Sequence, residues 1–371
     1  MAVNTTTFSG KQFAVYAAAE ETTGTFNTTD ASYRKIDVEG ITYPSFSPQQ
    51  EFEKRTGSGG RIDEFSQIFS STRRQVTEFS LSGRLTQELW LMLMENVTGD
   101  EFNGGTGTDS VLSLETGYAG LNFKVGDDPA SATDFANLLS IYFAAPTAED
   151  SYSIASCTCT SFSISADVDD FGGRMTYEAT FQTLAVPARG EQSGLIAAAS
   201  AVGTQLYLSD MVQKNIDIKD YTGTTDEDDI DPIFASFNMS IETPVVFAGA
   251  GANGTVPDAW LKGMPDMTIT FGGTIKYDVT TDNLIEAFRD PDGASYITFF
   301  LSDVAVAGTT ETPTGVFFAA SSSKKFGIWF GKSKLTSCDV TSDDMAMVNF
   351  EAKVTDPGAG NIAHFLGGDN V

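Results

Sequence analysis

Residues 162–181 read Phe-Ser-Ile-Ser-Ala-Asp-Val-Asp-Asp-Phe-Gly-Gly-Arg-Met-Thr-Tyr-Glu-Ala-Thr-Phe. Phe162, Ile164, Ala166 and Val168 alternate with polar residues, and so do Met175, Tyr177, Ala179 and Phe181. A period of two marks a strand with one face in a core. Between the runs, Asp169-Asp170-Phe171-Gly172-Gly173 supplies the residues of a hairpin turn. The stretch specifies an antiparallel hairpin. The same alternation recurs at Phe79, Leu81, Gly83 and Leu85, at Met267, Ile269, Phe271, Gly273 and Ile275, and at Phe350, Ala352 and Val354. An all-β chain is expected.

Helical signals are few. Thr86–Asn96 opens on a threonine suited to an N-cap and carries Leu89, Trp90 and Leu93 at helical spacing. Thr281–Phe288 also opens on threonine and carries Leu284, Ile285 and Phe288. Residues Ala130–Leu139 carry a weaker third signal.

Each of the first two helices follows the same kind of strand, which points to an internal repeat. Six collinear matches are found. Val15-Tyr16 pairs with Leu206-Tyr207, and Ile36-Asp37-Val38 with Ile216-Asp217-Ile218. Ser80–Leu85 pairs with Thr270–Ile275, setting Gly83 on Gly273, and Thr86 pairs with Thr281. Ser165–Val168 pairs with Ser337–Val340, and Tyr177-Glu178-Ala179 with Phe350-Glu351-Ala352. The expected division is a first module over 1–186, a linker over 187–203, a second module over 204–356 and a Gly-rich tail over 357–371. Each module carries a long Gly-rich excursion, Glu53–Arg74 and Phe247–Lys262. Loops of that length are functional or lack order of their own.

Composition narrows the function. The net charge is −28, from 50 acids and 22 bases. Such an excess repels nucleic acid rather than gathering it. Cys157, Cys159 and Cys338 are too few and too odd for a disulfide framework, and read as reduced, mostly buried thiols. No run of about 20 apolar residues suggests a membrane span, and the first residues lack the apolar core of a signal peptide.

The residue types of catalysis are sparse. His364 is the one histidine, in the Gly-rich tail, where a surface position is expected. One histidine excludes zinc sites built on two and makes Ser-His-Asp or Cys-His chemistry improbable. Gly249–Gly254 spells GxGxxG, but Thr255-Val256-Pro257-Asp258 follows and cannot open the helix that a pyrophosphate needs, so a hairpin tip is expected. Asp226–Asp229 with Asp231 is the densest acidic run, without the alternation of an EF-hand loop. The acid pairs Asp127-Asp128, Asp169-Asp170 and Asp343-Asp344 sit beside turns and read as solvated. No cofactor or metal is expected. Arg73-Arg74 and Lys324-Lys325 are natural partners for acids on a neighbouring subunit.

The whole pattern resembles the major tail tube proteins of long-tailed bacteriophages. The resemblance lies in Ser9-Gly10-Lys11, Val15-Tyr16 and Glu20–Thr25, then a long loop with Gly57–Arg61, then the strand Ser80–Leu85 running into a short helix, and a C-terminal hairpin. It implies antiparallel β-sandwich or half-barrel modules, each with a short flanking α-helix, present twice. Six modules of that family close a ring with a continuous inner barrel, and the long loop reaches the next ring. A duplicated chain then implies a trimeric, pseudo-hexameric ring, stacked into a tube around tape-measure protein and, later, genomic DNA in transit. Other tail and head-completion proteins are implied partners, in a virion assembled in the host cytoplasm. The implied contact residues are Gly57, Gly59, Gly60, Arg61, Arg73 and Arg74 in the first loop and Gly249, Gly251 and Gly254 in the second. The two loops differ in charge, so their contacts cannot be equivalent. Other structural roles share this composition: capsid decoration, head–tail joining, a surface layer or a secretion-system tube. A calcium-dependent or carbohydrate-active module is a third class.

Overall fold

Alternation becomes burial in the central hairpin. Phe162, Ile164 and Ala166 face the core, as do Met175, Tyr177, Ala179 and Phe181 opposite them, while Ser165 and Asp167 are exposed. Phe171, Gly172 and Gly173 at the tip all have positive φ, which glycine adopts without steric penalty. The structure, a computed structural model, describes residues 13–20, 25–29, 33–42, 49–52, 68–71, 77–98, 103–104, 109–115, 121–124, 138–146, 148–183, 185, 187–190, 203–219, 226–248, 259–262, 267–278, 280–289, 295–303, 326–342, 345–358 and 361–368.

The first half contains β1 (Ala14–Ala19), β2 (Arg34–Ile36), β3 (Gly40–Thr42), β4 (Gln49–Phe52), β5 (Ile68–Ser71), β6 (Thr77–Arg84), helix α1 (Gln87–Thr98), β7 (Asn103–Gly104), β8 (Asp109–Glu115), β9 (Leu121–Lys124), β10 (Leu139–Ala144), β11 (Tyr152–Asp167), β12 (Thr176–Thr183) and β13 (Ala188–Arg189). The second half contains β14 (Gln213–Lys219), β15 (Asp226–Ile230), β16 (Phe234–Glu242), β17 (Val245–Ala248), β18 (Ala259–Lys262), β19 (Thr268–Lys276), helix α2 (Asp282–Arg289), β20 (Tyr296–Ser302), β21 (Gly327–Ser342), β22 (Ala346–Val354) and β23 (Asn361–Gly368). The chain is all-β with antiparallel pairing, as the alternation implies. Of the weaker third helical signal, Leu139 opens β10, and residues 130–137 lie outside the described residues.

One run of eight antiparallel strands crosses both halves, in the order β3-β6-β12-β11-β16-β19-β22-β21. Four come from each half. The joint is β11 on β16, in register from Ser161↔Glu242 to Asp167↔Ser236. A second layer lies over this sheet. The first part of β11 pairs with β10, then β1, then β2. The first part of β21 pairs likewise with β20, then β14, then β15. Each long strand thus belongs to both layers, and a register shift marks the passage in each, at Cys159/Ser161 and at Leu335/Ser337. The core between the layers mixes aliphatic side chains with aromatic contacts. Phe79 meets Phe181 at 5.3 Å and Phe143 at 5.8 Å; Phe271 meets Phe299 and Phe330, both at 4.8 Å.

The two halves share this order of pairing. Gly83 faces Tyr177, which faces Ile164; Gly273 faces Phe350, which faces Cys338. The sequence matches at Gly83/Gly273 and Tyr177/Phe350 therefore fall on corresponding strands. Two others do not. Pairing sets β1 on β14 and β2 on β15, so the counterparts of Val15 and Ile36 are not Leu206 and Ile216. Ser165 falls on Asp339, two residues from Ser337.

Residues 357–371 are not a loose tail. Within them β23 lies between β21 and β8, joining the halves a second time. Ile362, Ala363, His364, Phe365 and Leu366 are all buried. Helix α1 packs beneath this strand. The Trp90 ring lies 4.7 Å from Phe326, 5.9 Å from Phe365 and 6.3 Å from Phe162, and its indole N–H donates to the Leu366 carbonyl at 2.9 Å. Thr86 caps the helix by accepting from the Leu89 N–H, as its sequence suggests.

Gly83 and Gly273 mark close strand approach. A Cβ at Gly83 would overlap the carbonyl oxygen of Asp37, and one at Gly273 that of Ser236. Both obstacles are backbone, so no rotamer change relieves them. Gly83→Ala and Gly273→Ala are each expected to cost about 1–3 kcal/mol of stability, read as a lower urea midpoint at unchanged m-value. Unaltered midpoints would show that the strands are not this close.

Candidate functional site

The eight-stranded sheet has two ends with unequal surroundings. Within the chain, β11 is flanked by β12 on one side and β16 on the other. The corresponding part of β21, residues 334–342, pairs with β22 alone among the described residues. At the far end, β3 pairs with β6 alone among them. Two edges of opposite position are left open in one sheet.

Burial registers the missing neighbour. Ala166 and Val340 hold the same place, two residues beyond Ile164 and Cys338. Ala166 lies beside Phe237 of β16 and is 5% exposed, whereas Val340 is 49% exposed. The helices repeat the contrast. Leu89 and Trp90 of α1 are buried, as are Leu284 and Ile285 of α2. One turn on, Leu93 is 1% exposed while Phe288 is 39% exposed. Strand β23 covers α1; no described strand covers α2 in that way. An inward-facing apolar flank is therefore open on the second half and closed on the first.

The solvent face of the sheet is dominated by hydroxyl and amide side chains. Ser165 and Thr176 bond across strands at 2.9 Å, Ser240 and Thr270 at 2.7 Å, and Thr274 donates to Asn349 at 2.7 Å. Some of its charges have partners: Gln182 donates to Glu78 at 3.0 Å, and Arg84 contacts Glu39 at 3.1 Å and Asp37 at 3.8 Å. Exposed ion pairs of this kind add little stability.

The contact residues expected from sequence, Gly57, Gly59, Gly60, Arg61, Arg73, Arg74, Gly249, Gly251 and Gly254, all lie outside the described residues. The described strands fix where their segments leave the sheet. The β4–β5 hairpin carries residues 53–67 and the β17–β18 hairpin carries 249–258. One hairpin follows β3 and the other follows β16. These strands run the same way, so both hairpins leave at one end of the sheet. The turn 168–175 and the passage from β21 to β22, with the starts of both helices, lie at the opposite end. The GxGxxG segment, expected as a hairpin tip, lies outside the described residues, between β17 and β18 in the chain. Pairing of β18 with β9 ties the second hairpin to the first half.

Reactive groups are quenched by burial. Cys157, Cys159 and Cys338 are free and buried. Burial pushes the Cys157 thiol up, and the Cys338 thiol up to about 11, so both stay protonated and unreactive at neutral pH. The acidic run Asp226–Ile230 forms β15, paired with β14. No group of three or more His, Cys, Asp or Glu suited to a metal occurs among the described residues. No helix among them is long and apolar enough to cross a membrane. No family model matches the chain, and a search of curated proteins found no match.

The expected surface position of His364 is corrected by its placement in β23. Its ring lies 5.1 Å from that of Trp329 and is 4% exposed. The segment Ile362–Leu366 is apolar on both faces, so it lacks the alternation that reveals a half-buried strand. Burial lowers the His364 pKa from 6.5 to about 4. The unfolded chain takes up this proton as pH falls through 6.5, and the folded chain does so only near 4. Stability present above pH 6.5 is thus lost between about 6.5 and 4, by about 3 kcal/mol. His364→Phe removes this component and is expected to flatten the stability difference between pH 7 and pH 4.5, measured by urea unfolding against the parent. Parallel curves for the two proteins would refute the burial of a neutral imidazole.

Proposed function

We propose that the chain is a structural subunit of a phage tail tube, built from two copies of one module and without catalytic function. Three copies join edge to edge into a ring of six modules, and rings stack around a lumen. The observation that carries this is the half-exposed Val340 beside the buried Ala166. The chain already contains one solved joint, β11 on β16. Placing β3 of a second copy beside β21 repeats that joint, covers Val340 and supplies both open edges with partners. Edge strands left bare invite uncontrolled association, and closure into a ring removes them.

Other features support the same reading. The hydroxyl-rich face offers a lining without a basic stripe. Three chains carry 3 × (−28) = −84 charges, which disfavours adhesion of DNA phosphates during passage. The two hairpins leave one end of the sheet, the direction in which a ring meets the next. The remaining partners are tape-measure protein and the tail and head-completion proteins, in a virion assembled in the host cytoplasm. Capsid decoration, head–tail joining and surface-layer roles remain the structural alternatives, and symmetry separates them.

Negative-stain microscopy of the purified chain is expected to show threefold rings or hollow tubes. Val340→Asp is expected to abolish them while shifting the unfolding free energy by no more than about 0.5 kcal/mol, the usual range for a surface change. A parent chain that remains monomeric at every concentration, or assembles without threefold symmetry, would sink the proposal.

A further inference from the structure

The two ends of the long sheet differ in their apolar surface. Along one end, neighbouring strands finish on exposed apolar side chains: Val168 after β11, Ile233 before β16, Tyr277 after β19 and Met345 before β22. The four strands are consecutive neighbours, so these side chains form a row about 15 Å long at the usual strand spacing. Phe171, in the turn beyond β11, extends the row and is 81% exposed. Among the described residues, no large apolar side chain at the other end of these four strands is exposed. A bare apolar row confined to one end marks a contact surface.

Phe171 is held in place before anything binds. Its φ of 50° lies in the left-handed region, which costs a non-glycine residue energy that its surroundings must supply. The Arg174 guanidinium lies over the ring, 5.5 Å from its centroid. Arg174 is fixed in turn by Asp170 at 3.3 Å and Glu39 at 3.6 Å. An aromatic already immobilised loses little freedom on binding, which is the property of an interface anchor.

The charges say what the row meets. Beside it, exposed Asp167, Asp169, Asp231 and Asp278 outnumber Lys276 and Arg84. At the other ends of β16, β19, β22 and β21 stand Pro244, Met267, Lys353 and Lys334. Lys353 faces Lys334 across the strands. With Lys332 they outnumber the acids there, Glu242 and Asp356. One end is therefore apolar and acidic, and the other is partly apolar and basic. Two acidic ends brought together would set aspartate against aspartate, whereas an acidic end on a basic end sets opposite charges together. Unlike surfaces that fit one another make a heterologous contact, which repeats along an axis without closing.

We propose that the row of Phe171, Val168, Ile233, Tyr277 and Met345 is the axial contact of the ring, seated on the opposite end of β16, β19, β22 and β21 in a second copy. This rests on the edge-to-edge ring proposed above. Phe171 is its anchor, and the opposite charges fix the direction in which rings add.

Two full-length variants, each altered only at exposed positions, test this contact. Phe171→Asn with Ile233→Asn removes apolar surface from the row, and asparagine tolerates a positive φ. Pro244→Asp with Lys353→Glu inverts the opposite end. Each variant is expected to give single threefold rings and no tubes by negative-stain microscopy, at unchanged circular dichroism. Rings of the two variants, purified separately and then mixed, are expected to pair and to stack no further, because each kind of ring keeps one intact end. Tubes from either variant, a folded variant without rings, paired rings from the second variant alone, or mixed rings that fail to pair would each overturn the axial contact and leave the ring. A parent chain that stays monomeric removes the ring beneath it.

Discussion

A strand edge is a row of backbone donors and acceptors that must be satisfied somewhere. The architecture is a sequence of answers to that demand. β11 and β21 each satisfy it twice, giving one stretch to the upper layer and the next to the lower. That double use holds the layers together over a core of aliphatic and aromatic side chains, with all three cysteines free. Where the first half would end in a bare edge, β16 of the second half takes it up. Where β21 would end bare on its other stretch, β23 takes it up and passes the sheet on to β8. Only two stretches of the long sheet remain open among the described residues, one at each extremity.

Much of the fold was legible from residues. Alternation located the strands around Phe79, Phe162, Tyr177, Phe271 and Phe350, because each has one face in the core and one in solvent. A threonine ahead of apolar residues at helical spacing located both helices, although only Thr86 caps its helix through the hydroxyl, while Thr281 bonds back to Asp278. Legibility failed where that contrast is missing. Ile362–Leu366 is buried on both faces and resembled a tail. The match of Ser165 with Ser337 lies on corresponding strands but two residues out of register, since a slip of two residues leaves every side chain on its proper face. The correspondence of β1 with β14 was hidden because short strands in a Ser/Thr-rich chain offer several equally good matches.

The candidate site was less legible still. Glycine and arginine in the long loops drew attention as unusual residues. Val340 did not, because nothing about a valine in a strand is unusual. Its meaning arises only from comparison with Ala166, whose surroundings include a strand that Val340 lacks. Likewise Phe288 is an ordinary helical aromatic until Leu93 is seen covered. The informative property is an absent neighbour, which is a feature of topology rather than of any residue type. Burial has the opposite effect on the reactive side chains: His364 and the three cysteines stand out in the sequence and are silenced in the fold.

The bond from Trp90 to Leu366 spans 276 residues of chain. A ribosome delivers the donor long before the acceptor. Until the last few residues emerge, the indole has no carbonyl to meet, α1 has no roof, and β8 has no strand to join to the second half. Synthesis order thus becomes a quality check. A product truncated before β23 lacks the carbonyl that Trp90 needs and the strand that pairs β8 with β21.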